Sequence, residues 1–131
     1  IETSTGLNRL FLMVLCEAYY EDTENNRIVL KLPFDLAPNK IVVCPLLKKD
    51  GLPDKAKEIF DIVNSEHKCI YDEQGSIGKR YYRQDEAGTP FGITIDHETL
   101  DNNTVTIRER DSMEQHRISL DKILEFVSKN K

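Results

Sequence analysis

The run Ile41-Val42-Val43-Cys44-Pro45-Leu46-Leu47 narrows the fold more than any other stretch of this chain. It is almost wholly apolar and short, the pattern of a strand buried on both faces. Asp50-Gly51 then makes a turn, and Pro53 falls where a helix accepts proline, in its first turn. Ala56, Ile59, Phe60 and Val63 follow at helical spacing, and Cys69-Ile70-Tyr71 reads as a second strand. Strand, helix, strand in this order crosses over right-handedly into a parallel sheet.

Downstream, a helix is expected over Ile77–Glu86, closed by Gly88 and Pro90. Phe91, Ile93 and Ile95 alternate with Gly92, Thr94 and Asp96, as in a half-buried strand. Asp101-Asn102-Asn103 forms a turn cluster before a second alternating strand, Thr104 to Arg110, and Gln115 to Ser119 makes a third. Ser119 suits an N-cap for a closing helix with Leu120, Ile123, Leu124 and Val127 on its buried face. The expected fold class is α/β, a mixed five-stranded sheet flanked by three helices.

Upstream, Leu10, Phe11, Val14, Leu15 and Ala18 trace the stripe of an amphipathic helix, preceded at Glu2–Thr5 by what reads as a strand end. The acidic run over 19–26 reads as a solvated helix end and a loop, and Pro33 and Pro38 mark 27–39 as an extended linker. Three units are therefore expected: a tail of a preceding domain over 1–26, a linker over 27–39, and a domain over 40–131.

Eighteen basic and twenty-three acidic residues leave a net charge of −5, which disfavours holding nucleic acid by bulk charge but leaves room for local basic patches. No apolar run approaches the roughly 18 residues of a membrane span. No basic segment followed by a short apolar core opens the chain, so no secretory signal is expected. The three cysteines, Cys16, Cys44 and Cys69, form no CxxC pair, which argues against a disulfide framework or a zinc site. A reduced, cytoplasmic chain is the expectation. Its start at Ile1, without Met, reads as a piece of a longer protein.

Enzymatic constellations are weak. His67, His97 and His116 stand alone, without metal-ligand spacing, and read as loop or surface histidines; no metal is expected. Cys16 and Cys44 sit in apolar patterns and read as inert core thiols. Gly75-Ser76-Ile77-Gly78-Lys79 lacks the spacing of a phosphate loop. The stretch around it is more informative. Lys79, Arg80 and Arg83 interleave with Tyr81 and Tyr82, as in single-stranded nucleic-acid sites. The same residues would also suit a surface helix whose Lys and Arg pair with Asp85 and Glu86. In Thr106–Asp111, alternation places Arg108 and Arg110 on one strand face and Glu109 on the other.

Taken together, these blocks resemble the class II glycyl-tRNA synthetases of the dimeric type, over nearly the whole chain. Ile1-Glu2-Thr3-Ser4-Thr5-Gly6-Leu7-Asn8-Arg9 is similar to motif 3 of that family, although Thr3 and Asn8 stand where it commonly has Pro and an acidic residue. Leu36–Ile41, Gly75–Tyr81, Asp85–Phe91 and Thr104–Gln115 are similar to successive blocks of its C-terminal anticodon-binding domain.

The resemblance implies that Glu2 and Ser4 help hold glycine, and that Ser4, Thr5, Gly6, Leu7 and Arg9 line an ATP site. It implies that the anticodon of tRNA-Gly, which ends in two cytosines, is met by Lys79, Arg80, Arg108, Glu109 and Arg110, with Glu109 reading a base. ATP and magnesium would serve the full enzyme, a homodimer that attaches glycine to tRNA. The fragment alone would be an inactive monomer that holds no cofactor and meets no membrane. Two alternatives are a stand-alone RNA-binding or polymerase-accessory module of the same fold, and a small flavodoxin-like nucleotide-binding protein.

Overall fold

A computed structural model describes residues 2–131, with side chains described from Arg9 onward. Helix α1 (Glu2–Ala18) leads into a hairpin of β1 (Tyr19–Asp22) and β2 (Arg27–Leu30), paired antiparallel from Tyr19↔Leu30 to Asp22↔Arg27. Then follow β3 (Ile41–Pro45), α2 (Leu52–Asn64), β4 (Cys69–Tyr71), α3 (Ile77–Ala87), β5 (Phe91–Ile95), α4 (His97–Asn102), β6 (Thr104–Glu109), β7 (Gln115–Ser119) and α5 (Ile123–Asn130). The main sheet has five strands in the order β4-β3-β5-β6-β7, the first three parallel and the last two antiparallel to their neighbours. This is the α/β fold class expected.

Strand alternation divides the side chains between two layers. Ile41, Val43, Phe91, Ile93, Ile95, Val105 and Ile107 face α2 and α5, whose Ala56, Ile59, Val63, Ile123 and Val127 complete the main core. Val42, Gly92, Thr94 and Arg108 face the other way, toward Tyr81 of α3. The α2 and α3 crossovers thus cover opposite faces, as right-handed connections running outward from β3 to β4 and back across β3 from β4 to β5 require. Helix α3 begins at Ser76, whose hydroxyl accepts from Lys79 N at 3.4 Å, and ends at Gly88 in the left-handed region (φ 83).

Four local expectations are corrected. Residues 19–22 and 27–30, expected as a solvated helix end with a loop and as the start of an extended linker, form the β1–β2 hairpin, which packs against α3. Glu2–Thr5, expected as a strand end, lie in α1; a strand needs a partner edge, whereas a helix satisfies its backbone locally. The 101–103 cluster closes a short extra helix, α4, with a capping box at Asp96 and Thr99 and Asn103 at φ 56. Along α1, Ala18 is buried but Leu10 and Phe11 are exposed, and Cys16, expected in a core, is exposed as well. No helix among the described residues is long and apolar enough to cross a membrane.

Candidate nucleic-acid interface

The α2 connection leaves β3 toward one face and the α3 connection leaves β4 toward the other. Such a switch in direction opens a crevice beyond the carboxyl ends of parallel strands, the usual ligand position in open α/β sheets. A cavity of about 380 Å³ lies there, on the α3 side, lined by Leu46, Ile77, Gly78, Tyr81, Tyr82, Thr94, Asp96, Thr106, Arg108, Met113 and Gln115.

The loop that carries Ile77 and Gly78 to the cavity is braced by two arginines. Arg80, 3% exposed, donates from Nη2 to Gly75 O at 2.9 Å, from Nε to Gln74 O and Gly75 O, and from Nη1 to the Pro45 carbonyl. It thereby ties the β4–α3 loop to the end of β3. Gly75, at φ 72, gives that loop its turn. Asp72 accepts from Arg83 Nη1 at 2.7 Å and from Gln74 N at 2.9 Å, bracing the loop from its other side.

The floor is set by Tyr81 and Arg108. The Tyr81 hydroxyl hydrogen-bonds Thr94 Oγ1, and burial pushes the phenol up to about 12, so it stays protonated. The Arg108 guanidinium stacks over the Tyr81 ring at 4.7 Å and donates through both Nη atoms to Asp85, at 2.9 and 3.0 Å. A guanidinium has five N–H donors, so Arg108 keeps three others beside the cavity. At the far wall, Arg117 grips Asp96 at 2.7 and 2.8 Å, and this charged pair holds the Asp96 carboxyl down to about 2. Tyr82 is 39% exposed at the mouth, beside Met113 (φ 62) and the exposed Gln115.

The residues singled out from sequence therefore part company. Lys79 is exposed on the first turn of α3, at the rim. Arg80, Arg108 and Arg110 are buried, with Arg110 donating to Gly88 O and Leu32 O at 2.9 Å each. Asp85 does pair with arginine as foreseen, but with Arg27 and Arg108 in the interior and not with its own helix surface. Glu109 does not share the cavity. It lies opposite Phe91, the first residue of β5, on the core-side face, where its carboxylate sits 3.3 Å from His116 Nε2 with Glu114 at 3.6 Å. Alternation put it on the face away from Arg108, although its backbone carbonyl accepts from the N–H of the cavity residue Met113 at 2.9 Å. Glu2, Ser4, Thr5, Gly6 and Leu7 lie outside the residues with described side chains; Arg9 is exposed on α1.

Sequence reasoning missed Thr94, Thr106, Met113 and Gln115 as cavity residues, and Arg27 as a buried partner. The two threonines carried a signal, being the polar positions of alternating strands. Arg27 carried none, because besides Asp22 on the adjoining strand its partners are distant in sequence: Asp85 and the Arg110 carbonyl.

Residues 40–130 match the family described as anticodon binding domain. The chain is 48% identical over 130 residues to a glycine–tRNA ligase of Borrelia hermsii, covering 97% of this chain and 29% of the relative. It is 54% identical over 123 residues to one of Malacoplasma penetrans (92% and 26% covered) and 50% identical over 125 residues to one of Treponema denticola (90% and 28%). It thus spans between a quarter and three tenths of the length of these relatives.

Proposed function

This chain belongs to the anticodon-binding domain family, and from that footing we propose that it is the C-terminal part of a glycine–tRNA ligase, with the anticodon of tRNA-Gly taken at the α3-side cavity. The observation that carries the reading is the position of this cavity. It lies within the family's span, at the sheet's switch point, and joins an open aromatic face to a guanidinium with donors to spare.

RNA loops are read through splayed bases that stack on aromatic rings and hydrogen-bond on their edges. Tyr82 offers the stacking face. Arg108 donates toward the ring nitrogen and carbonyl oxygen of a cytosine, and the Gln115 amide oxygen accepts from its amino group. Lys79 and the exposed Lys48 and Lys49 take the phosphates. Arg80 and Arg110 hold the surrounding backbone in place and do not touch RNA. A negatively charged chain suits this arrangement, since one loop needs only a local positive footprint.

The whole protein would activate glycine with ATP and magnesium and pass it to tRNA, as a cytoplasmic homodimer. Helix α1 would end its aminoacylation domain, and the β1–β2 hairpin with residues 31–39 would join it to the domain over 40–131. Glu2 and Ser4 would meet glycine, and Ser4 to Leu7 with Arg9 would meet ATP. The exposed Arg9 guanidinium is chemically suited to phosphate.

The test is a titration of the chain with a glycine anticodon stem–loop and with a copy whose two cytosines are changed, each at several salt concentrations. Preference for the cytosine loop that survives moderate salt is expected. Gln115→Ala should reduce that preference, while Glu109→Gln, on the other face, should leave it unchanged. Equal, salt-sensitive binding of both loops would overturn the reading.

A further inference from the structure

We propose that Asp85 is the positioning residue that aims Arg108 into the cavity, and that Arg27 of the hairpin governs how firmly Asp85 holds it. The proposal rests on the anticodon reading of the cavity and adds how its guanidinium is controlled. Asp85 is 1% exposed on the last turns of α3 and does not line the cavity, so it acts only through Arg108. Its Oδ1 accepts from Arg108 Nη1 at 2.9 Å, and its Oδ2 accepts both Arg108 Nη2 at 3.0 Å and Arg27 Nη1 at 2.9 Å. Arg27 is fixed in turn by Asp22 Oδ2 at 2.8 Å and by the Arg110 carbonyl at 2.8 Å.

Two buried arginines and two carboxylates make this a balanced chain of charge, in which each ion is paired. Such a chain is poor evidence for stability alone, because apolar groups of the same volume would pack as well. Apolar groups could not hold a guanidinium at a cavity. The bidentate fork fixes the plane of Arg108, with Tyr81 beneath it, and so decides where its remaining donors point. Arg27 shares the same carboxylate oxygen and belongs to β2, in the hairpin that continues directly from α1. The orientation of the base-reading group is thereby tied to the seating of the segment that joins this domain to whatever precedes it.

The experiment uses the intact chain with Asp85→Asn, Arg27→Gln and Arg108→Lys, singly and combined, and two readouts. The first is the preference for the cytosine stem–loop over its altered copy. Asp85→Asn should cut it about tenfold, the scale of one bidentate base contact, and Arg27→Gln severalfold, with the salt slope unchanged because the phosphate contacts persist. In the Arg108→Lys background both changes should have no further effect. The second readout needs no RNA. The side-chain N–H signals of Arg108 by NMR should be resolved in the unaltered chain, broaden in Arg27→Gln and collapse in Asp85→Asn. Arg27→Gln, at a residue that does not line the cavity, keeps the test open if Asp85→Asn fails to fold. Additive losses in the Arg108→Lys background, or Arg108 signals indifferent to Arg27, would overturn the positioning role. Absence of any cytosine preference in the unaltered chain, with the Arg108 signals responding as stated, would instead overturn the anticodon reading on which the role depends.

Discussion

Replacing Gly92 by alanine tests whether the floor of the cavity is as tightly built as its geometry indicates. Gly92 lies in β5, paired with Arg108 of β6, and faces α3. A Cβ there would overlap Tyr81 Cε1, stand 3.0 Å from Tyr81 Cδ1 and lie 3.4 Å from Val42 Cγ1. Tyr81 has little room to yield. It is 6% exposed, its hydroxyl is tied to Thr94, and Arg108 covers its ring. Overpacking of this kind costs about 1–3 kcal/mol, while replacing a strand glycine by alanine returns about 0.5–1 kcal/mol of chain entropy. Tyr81 is held at both its hydroxyl and its ring, which puts the clash in the upper half of that range, so the net expectation is a loss of about 1–2.5 kcal/mol, read by urea denaturation as a lower midpoint at unchanged slope. In a Tyr81→Ala background the clash is gone, so the same change should become neutral or stabilising. A cost below about 0.5 kcal/mol, or an equal cost in both backgrounds, would refute the packing argument.

Acid sensitivity follows from Asp96. Hydrogen bonds from Arg117 hold its carboxyl down to about 2, so the stability it contributes is complete above the ordinary carboxylate range and is lost as pH falls through about 2. With the Asp96 and Arg117 side chains 21% and 30% exposed, that contribution is about 1–2 kcal/mol. Urea melts between pH 5 and 2 should show Asp96→Asn less stable than the unaltered chain at pH 5 and converging with it at the acid end. Parallel stability curves would contradict this. For the thiols, burial pushes Cys44 and Cys69 up to about 12, whereas Cys16 is exposed. A thiol reagent at pH 8 should modify one cysteine rapidly and the other two only on unfolding; two fast thiols would be inconsistent with the core described.

The elements with strong periodicity were legible before any coordinates. The apolar run of β3, the i, i+3, i+4 pattern of α2 and the alternation of β5 and β6 each carry their own burial requirement in the residues themselves. Weak periodicity went unread. The hairpin β1–β2 has strands of four residues, and Tyr19, Tyr20 and Glu21 of β1 are exposed in succession, so no alternation distinguishes it from a loop. Helix α4 is a single capped turn and a half, signalled only by Asp96 and Thr99.

For the site, residue type identified the right neighbourhood, in the basic and aromatic stretch around Tyr81 and in Arg108, but could not say which cations are free. Lys79, Arg80 and Arg83 look equivalent in a string of letters. In three dimensions Lys79 is open to solvent, Arg80 is consumed by carbonyls and Arg83 is paired with Asp72. The sequence alone determined the layered α/β architecture and the family, because hydrophobic periodicity and ordered motifs are properties of neighbouring residues. The tertiary structure decided that the cavity opens on the Arg108 face and not on the Glu109 face, and that Asp85 joins Arg27 to Arg108. Those relations depend on strand register and on contacts spanning 23 to 58 residues, which no local pattern encodes.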